Sequence, residues 1–258
     1  MLRPRITPCL LISEGGLVKT VAFASPKYVG DPVNAVKIFN EKEADELIVL
    51  DIDATVKGQL PNARLISQFA SECRMPLCYG GGVRTVEQVK HIVGLGVEKI
   101  ALGAAAVDTP SFITAAAREI GSQSVVVVLD VRKVKSGRYE VFTHNGRRAT
   151  GVDPVQAAQS AEALGAGEIL VNSIDNDGQM KGYDLELAAQ VRQASRLPMS
   201  VLGGAGSLAD MRALIQRCGV IGAAAGSLFV FKGAYKAVLI NYPGEAQKEE
   251  IIRATPTR

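Results

Sequence analysis

The sequence contains no tryptophan, only two histidines and only four cysteines among its 258 residues. His91 and His144 cannot supply a three-histidine zinc site, which argues against a metal enzyme of that type. The cysteines form no C-x-x-C pair, and Cys9 and Cys78 lie in apolar segments of strand length. These features indicate buried free thiols rather than metal ligands or a disulfide framework. We therefore expect neither a metal nor an organic cofactor.

Strong charge and long apolar runs are also missing. The net charge of +3 is small, and no cluster of basic residues is interleaved with aromatic ones, so nucleic acid is not an expected partner. No run of 18 apolar residues occurs, and the apolar stretch near the start is short for a signal peptide. We expect a cytoplasmic protein with no membrane partner. An apolar content of 47% is sufficient for a substantial core.

The chain repeats itself. Residues 46–58 and 168–182 each start with glutamate, continue through an apolar run, and reach Ile-Asp and a polar, glycine-containing loop. Each is followed by a proline-led strand that ends in glycines, PLCYGGG and PMSVLGGAG, and then by a strand of small residues. Repeats of this kind indicate two similar halves. We predict one domain over residues 1–258, with half-barrels at about 1–121 and 122–245 and a loose polar tail at 246–258.

Apolar runs and helical periodicity alternate along the chain, which predicts a (β/α)8 barrel. A doubly wound sheet is the alternative, but the paired halves and the absence of G-x-G-x-x-G after the first strand disfavour it. We predict a long loop at 13–31, a β-hairpin excursion at 132–151, a helix at 111–120 and a last helix at 229–240. Asp31 and Thr85 are the predicted N-caps of the first and third helices. The predicted strands are residues 5–12, 46–53, 76–80, 99–103, 124–131, 168–173, 198–203 and 220–225.

Glycines at predicted strand ends suggest two phosphate sites. One would combine residues 80–82 with Gly103 and Ala104, and the other residues 203–206 with 225–227. In barrels, such loops let backbone N–H groups approach an anion. The alternative is that these glycines serve only turns that need positive φ. Two sites on opposite edges of one mouth would suit a ligand that is phosphorylated at both ends.

One carboxylate is the strongest catalytic candidate. Asp130 ends an apolar strand and should lie at the carboxyl-terminal mouth, where barrel residues usually carry the chemistry. The repeat places Leu11 at the equivalent end of the first strand, so a second acid is missing there, and Glu14 lies three residues into the loop. Further carboxylates should line the same rim, with loop capping as the alternative role for the first two: Asp51, Asp53, Asp175 and Asp177.

Four charged residues mark the opposite, amino-terminal ends of strands: Arg5, Glu46, Lys99 and Glu168. Taken singly, each of these residues would be interpreted as a solvated loop residue. Together they are two cations and two anions, which could close the bottom of the barrel as a neutral ring, since unpaired charges would be costly to desolvate there.

Several motifs carry a specific resemblance, in order and spacing: ELIVLDIDA, YGGGVRT, GSQSVVVVLD, GAGEILVNSIDNDG, KGYD, GGAG and GSLF. Over residues 5 to about 242 the chain resembles the HisF family, the cyclase subunit of imidazole glycerol phosphate synthase. The resemblance implies a barrel that binds a bis-phosphorylated ribulosyl substrate and receives ammonia through its interior from a HisH-like glutaminase docked on its bottom face. It implies an ammonia gate at Arg5, Glu46, Lys99 and Glu168. It implies ligand contacts at Lys19, Gly82, Asp177, Gly178, Gly204 and Ser227. Asp51 and Gly103 are added as ligand-binding candidates from their positions at predicted strand ends.

The departures from this family are equally specific. The family's acid–base pair comprises an aspartate at the end of the first strand and another at the end of the fifth. Asp130 matches the second, Leu11 replaces the first, and loss of a positioned acid or base typically costs about 10²–10⁴-fold in rate. Gly103 and Ala104 also replace polar residues. Such a chain resembles HisF-like proteins that, with a glutaminase and a separate sugar amidotransferase, form acetamidino sugars for surface polysaccharide. The alternatives are a true cyclase and a non-catalytic activator of the glutaminase.

Overall fold

A computed structural model describes residues 3–233 and 235–256. Fourteen strands and ten helices occur in this part of the chain. The strands are β1 (Arg5–Ser13), β2 (Gly16–Val21), β3 (Ala24–Gly30), β4 (Leu47–Asp51), β5 (Leu77–Gly80), β6 (Lys99–Leu102), β7 (Val125–Lys133), β8 (Tyr139–Thr143), β9 (Arg148–Ala149), β10 (Glu168–Ser173), β11 (Met199–Leu202), β12 (Gly222–Ala225), β13 (Phe231–Lys232) and β14 (Ala237–Val238). The helices are α1 (Pro32–Glu41), α2 (Ala63–Glu72), α3 (Val86–Gly94), α4 (Ala104–Asp108), α5 (Ser111–Ile120), α6 (Pro154–Ala163), α7 (Leu185–Ala194), α8 (Leu208–Cys218), α9 (Ser227–Val230) and α10 (Glu245–Ile252).

Eight parallel strands close into a barrel in the order β1, β4, β5, β6, β7, β10, β11 and β12, and β12 pairs back with β1. Helices follow these strands along the chain, so the predicted (β/α)8 barrel is confirmed. Because β7 is the fourth strand from β1 in either direction around this ring, β1 and β7 lie on opposite sides of the barrel.

Alternation along the strands divides the core into two layers. In β7, Val126 and Val128 belong to the apolar cluster inside the barrel, whereas Val125, Val127 and Leu129 pack outward against the helices. Every side chain of this run is therefore buried, which is why the strand reads as continuous valine rather than as an alternating pattern.

Local capping residues define the starts of two helices, α1 and α3. The Asp31 side chain accepts a hydrogen bond of 2.7 Å from the backbone N–H of Asn34, which starts α1 directly before Pro32. Thr85 and Gln88 form a reciprocal capping box at the start of α3. Both predicted helix starts are confirmed.

The predicted loop at 13–31 is wrong. These residues form β2 and β3, an antiparallel hairpin in which β2 continues the pairing of β1 above the barrel. Leu17 and Lys19, both on β2, are almost completely buried. This burial favours a hairpin packed on the barrel, although the polar, glycine-containing composition suggested a loop.

The predicted last helix at 229–240 is also wrong. Helix α9 ends at Val230, and the chain then turns at Gly233, whose φ of 73° favours glycine, into the short hairpin of β13 and β14. Part of the tail predicted to be loose is helix α10, whose Ile251 is 1% exposed. Residues 1–2 and 257–258 of the predicted domain lie outside the described part of the chain.

The predicted excursion after the fifth barrel strand is present, with three strands rather than the two of a hairpin. Strand β7 extends to Lys133 and pairs antiparallel with β8, which pairs with β9. Tyr139 donates hydrogen bonds of 3.0 Å to both carboxylate oxygens of Asp184, the N-cap of α7, and so ties the excursion to the next helix. None of the helices within residues 3–233 and 235–256 has the length and apolar content needed to cross a bilayer.

Candidate functional site

An open cavity lies at the carboxyl ends of the barrel strands. Parallel strands of a barrel present their carboxyl ends, and the loops that follow them, at this face. All nine residues that the sequence assigned to catalysis or ligand binding line it: Lys19, Asp51, Gly82, Gly103, Asp130, Asp177, Gly178, Gly204 and Ser227. In the described residues no group of three or more metal-ligating side chains converges, here or elsewhere.

Asp130 lies near the end of β7, on the inner face that also carries Val126 and Val128. Its Oδ1 accepts a hydrogen bond of 3.0 Å from Nδ2 of Asn172 on the adjacent strand β10. Burial raises the pKa of the Asp130 carboxyl to about 7, although the bond from Asn172 acts in the opposite direction. A carboxyl with this pKa can exist in either protonation state near neutral pH, as a general acid or base must.

Leu11 lines the same cavity from β1, on the opposite side of the barrel from β7. Among the described residues, Asn172 is the only side chain that hydrogen-bonds to Asp130. Glu14 does not replace the missing acid, because its side chain is largely exposed and lies 3.3 Å from the Lys57 ammonium. The mouth therefore contains one carboxyl at the position expected for a pair.

Asp177 holds the β2–β3 hairpin against the barrel. Its Oδ2 accepts hydrogen bonds of 2.6 Å from the Thr20 hydroxyl and 3.2 Å from the Phe23 N–H, and its carbonyl accepts one from Ala22. Gly178 lies so close to the hairpin that a Cβ there would be 2.1 Å from the Thr20 carbonyl oxygen. In this structure both residues bind the hairpin that covers one side of the mouth.

Lys19 belongs to β2 of the same hairpin, and its side chain is buried. Its ammonium donates a hydrogen bond of 2.8 Å to the carbonyl oxygen of Cys9, and a Cβ on Gly226 would be 2.6 Å from its nitrogen. Burial lowers the pKa of Lys19. The cation thus lies beside the loop that contains Ser227, one of the residues assigned to phosphate binding.

Two rim aspartates, Asp51 at the end of β4 and Asp53 in the loop after it, accept hydrogen bonds from nearby loop residues. Oδ1 of Asp51 accepts hydrogen bonds of 3.0 Å from the N–H groups of Asp53 and Ala54, and burial raises its pKa. Asp53 does not line the cavity, and its Oδ2 accepts bonds from Ser13, Glu14 and Lys57 instead. This is the loop-capping alternative that the sequence had left open. Asp175 likewise accepts from the Lys133 N–H at 2.9 Å, outside the cavity lining.

The glycine loops lie close to neighbouring backbone. Gly82 has a φ of 72°, and a Cβ there would lie 2.7 Å from the carbonyl oxygen of Gln59. Gly204 has a φ of 105° and would meet the Gly182 carbonyl oxygen at 2.1 Å. Turn geometry and close packing therefore require glycine at both positions, whether or not a phosphate binds.

At the other end of the barrel the four predicted charges come together in one ring. Arg5 on β1 pairs with Glu46 at 3.3 Å and with Glu168 on β10. Lys99 on β6 pairs with the same two carboxylates, at 2.6 and 2.7 Å. Each cation thus contacts both anions, and the ring is neutral.

The two glutamates of this ring are buried in the barrel. Glu46 and Glu168 are 4% and 5% exposed. Burial alone would raise the pKa of Glu168, but Arg5 and Lys99 outweigh it and the net pKa is lowered. Burial alone would lower the pKa of Lys99, but the two glutamates outweigh it and the pKa is raised. Glu168 and Lys99 therefore stay ionised near neutral pH.

Sequence reasoning missed two residues that complete these sites. Asn172 binds Asp130 at the mouth, and the Ser200 hydroxyl donates a bond of 2.7 Å to Glu168 in the ring. Alternation along β10 could have identified Asn172, because Glu168 and Leu170 both point into the barrel and every second residue shares a face.

Comparison with known proteins agrees with the geometry. The family model described as histidine biosynthesis protein matches residues 5–236. A protein of Leptospira interrogans, provisionally named imidazole glycerol phosphate synthase subunit HisF, is 55% identical over 97% of this chain and 99% of its own length. A Pseudomonas aeruginosa protein, provisionally named imidazole glycerol phosphate synthase subunit hisF2, is 51% identical over 94% of this chain and 97% of its own.

A third relative, the imidazole glycerol phosphate synthase subunit HisF of Alkaliphilus metalliredigens, is 42% identical over 81% of this chain and 83% of its own length. These matches extend over nearly the whole barrel, from the ring at one end to the cavity at the other. The chain belongs to the histidine biosynthesis protein family and is a synthase subunit of the HisF type.

Proposed function

We propose that this chain accepts ammonia from a HisH-like glutaminase at the amino-terminal face of its barrel and delivers it to a mouth that does not catalyse cyclisation. The observation that carries the proposal is a contrast between the two ends. The ring of Arg5, Glu46, Lys99 and Glu168 is complete and mutually paired. At the mouth, Leu11 lies where a second acid would be needed opposite Asp130.

The ring is suited to act as the ammonia gate. It closes the bottom of the barrel with side chains rather than backbone, so small rotations of Lys99 or Arg5 would open a passage. Above it, several inward-facing side chains are small: Cys9, Cys78, Ala101 and Ala224. Barrel interiors are more often filled by large branched residues. Small residues leave room for a molecule the size of ammonia.

The mouth supports a use of ammonia other than ring closure. A leucine cannot exchange a proton, so Asp130 would act alone in a reaction that requires an acid and a base. We propose that the ammonia is used to convert an N-acetyl group of a sugar to an acetamidino group, with a separate sugar amidotransferase, in cytoplasmic synthesis of surface polysaccharide. The glycine loops and Lys19 would hold a phosphorylated ligand.

Two other functions remain as candidates. A true imidazole glycerol phosphate synthase cyclase is favoured by one observation, the Asp130 pKa of about 7, which suits proton transfer at neutral pH. The third is a non-catalytic barrel that only activates its glutaminase. That function needs the bottom face but neither the cavity nor Asp130.

The test reconstitutes the chain with the HisH-like glutaminase of its own source. We expect glutamate release to rise when the barrel is added, and an acetamidino product to form from glutamine when the sugar amidotransferase and its N-acetylated sugar substrate are also present. Stimulated glutamate release without ammonia transfer would indicate the scaffold. No stimulation at all would contradict the proposal.

A further inference from the structure

A histidine occupies the turn at the end of the excursion that follows the fifth barrel strand. His144 lies between β8 and β9, and it lines the cavity together with Thr143 and Asn145. Its backbone is left-handed, with a φ of 55°, and that of Asn145 is left-handed at 56°. Glycine would adopt this conformation at lower cost, so the turn alone does not account for a histidine at this position.

Two neighbours determine which ring nitrogen of His144 carries the proton. The Thr143 hydroxyl oxygen accepts a hydrogen bond of 3.1 Å from Nε of Arg148, and Nδ1 of His144 lies 3.1 Å from the same oxygen. Thr143 is 3% exposed, so its own hydroxyl proton needs an acceptor, and among the described residues Nδ1 is the acceptor within reach. The hydroxyl therefore donates to Nδ1, because the reverse direction would leave a buried O–H unpaired. The neutral imidazole then carries its proton on Nε2.

The Nε2–H group of His144 is available to a ligand. No group in the described part of the chain forms a hydrogen bond with it. It is also not one of the unpartnered side-chain atoms that the protein seals from solvent, as the amide oxygen of Asn172 is. An accessible donor on a residue that lines the cavity can bind a molecule held there.

Contacts with neighbouring elements hold this turn in place. Arg148 forms an ion pair with Asp108 at the end of α4, the helix after β6. On the other side, Nη1 of Arg132 donates a hydrogen bond of 3.4 Å to the Gly146 carbonyl, and its Nε lies 3.6 Å from an Asp175 oxygen in the loop after β10. The turn is therefore tied to loops on both sides of β7.

The charge of the excursion favours an anion. Residues 132–148 contain six cationic residues and one anionic residue, although the whole chain has a net charge of only +3. Positive charge is thus concentrated on the segment that contributes His144 to the cavity wall. Three of these cations pair with carboxylates of other elements, and three form no ion pair within the described residues: Lys135, Arg138 and Arg147.

The glycine loops after β5 and β6 leave a role for a side-chain donor. Gly82, Gly103 and Ala104 all line the cavity, and their backbone N–H groups could approach a phosphate. Their side chains contribute no hydrogen bond. A phosphate has several acceptor oxygens, so it can bind donors from more than one element at the same time.

We propose that His144 donates its Nε2–H to a phosphate oxygen of the ligand held in the mouth, with Thr143 and Arg148 as positioning residues. The ring stays neutral, and no proton is transferred. A neutral N–H donated to an anionic oxygen is a charge-assisted hydrogen bond, which is stronger than a bond between neutral groups. This inference rests on the proposed function, in which the mouth holds a phosphorylated ligand.

The test follows the two histidines of the isolated protein by ¹H–¹⁵N NMR of their imidazole rings, with assignment from His91→Asn. His91 is exposed on α3 and does not line the cavity, so it is an internal reference. Inorganic phosphate replaces chloride at constant pH and ionic strength. We expect a saturable shift of the His144 signals and none of the His91 signals. No shift of His144, or an equal shift of both histidines, would overturn the proposal.

A variant separates the donor from the turn. His144→Asn removes Nε2 but keeps a residue that tolerates left-handed backbone. By calorimetry we expect its affinity for inorganic phosphate to fall by about tenfold or more, the usual contribution of a hydrogen bond to a charged group. His91→Asn, the matched control, should bind phosphate as the unmodified protein does. Unchanged affinity in folded His144→Asn would overturn the contact. If this variant does not fold, the comparison of the two histidines in the unmodified protein still decides.

The positioning role of Thr143 has a spectroscopic signature of its own. In Thr143→Val, which keeps the shape of the side chain without the hydroxyl, the neutral His144 ring should gain the Nδ1–H tautomer, which ¹⁵N shifts at alkaline pH report. An unchanged tautomer would overturn the role of Thr143. Absence of the phosphate response with intact glutaminase stimulation refutes only the histidine contact, and the reverse result refutes only the proposed function.

Discussion

Leu11 and Asp130 lie on opposite strands of the barrel, β1 and β7, and both side chains line the cavity at its mouth. The two strands occupy equivalent positions in the two halves of the chain. One half thus contributes a carboxyl with a pKa near neutrality, and the other contributes an apolar side chain. Of these two positions, only Asp130 carries a side chain that can exchange a proton.

The first prediction concerns Leu11→Asp. A second carboxyl at this position would lie across the mouth from Asp130 and would supply the missing proton-exchanging group. We expect cyclisation of the ribulosyl substrate with ammonium to increase by at least about 10²-fold, the usual contribution of a positioned acid or base. Leu11→Asn is the matched control, since it has the same shape and no proton to exchange. Equal rates in the two variants would show that the side chain at position 11 takes no part in proton transfer.

The second prediction concerns pH and Asp130. Because its folded pKa is raised from 3.8 to about 7, the unfolded chain releases this proton first, and stability declines as pH rises between those values. Asp130→Asn should remove this decline. At pH 8 we expect the variant to be more stable by on the order of 2 kcal/mol, with cavity water screening part of the effect, and near pH 4 the difference should vanish. Urea denaturation at both pH values checks this, and an equal difference at both would contradict it.

The third prediction concerns Lys99→Met. Without Lys99, two nearly buried glutamates share only Arg5, and breaking a buried pair in this way costs about 3 kcal/mol or more. The loss should shrink at acidic pH, because protonated glutamates no longer need a cation. Lys90→Met is the control, since its pair with Glu119 is exposed and should contribute less than about 1 kcal/mol. Equal losses in thermal unfolding would show that the ring is not a buried network.

The fourth prediction concerns Tyr242, in the segment between β14 and α10. The Tyr242 hydroxyl donates a bond of 2.7 Å to the Ile6 carbonyl and accepts one of 3.1 Å from the Asp45 N–H. Tyr242→Phe leaves both groups without this partner, and we expect a loss of about 1–2 kcal/mol. Tyr235→Phe is the matched control, because Tyr235 is 99% exposed and its hydroxyl should contribute nothing measurable. Denaturant unfolding of both variants compares them, and a comparable loss in the control would contradict this role for Tyr242.

What the sequence predicted correctly was local. The bounds of α5 and β10 and the caps at Asp31 and Thr85 follow from short-range patterns, because capping bonds span three residues and strand faces alternate every second residue. The positions of the four charged residues at strand starts also placed them at the same end of the barrel. That they would pair, rather than remain solvated, became the favoured interpretation only through the resemblance to HisF.

What failed depended on contacts between distant parts of the chain. Residues 229–240 were predicted to form a helix from their local pattern. In the structure the chain leaves the helix after Val230 and reaches the bottom of β1, where Tyr242 bonds to Ile6. The loop at 13–31 became a hairpin because β2 pairs with β1 and Asp177 anchors Thr20 from far along the chain. No local pattern contains these partners, so composition alone suggested a loop.

The most direct test asks whether the mouth catalyses cyclisation. It measures turnover of the bis-phosphorylated ribulosyl substrate by the purified chain in saturating ammonium chloride. We predict no product formation above the rate of Asp130→Asn, because Asp130 alone cannot supply both proton transfers. Turnover at the rate of a true cyclase, abolished by Asp130→Asn, would contradict this and identify the chain as a functional cyclase.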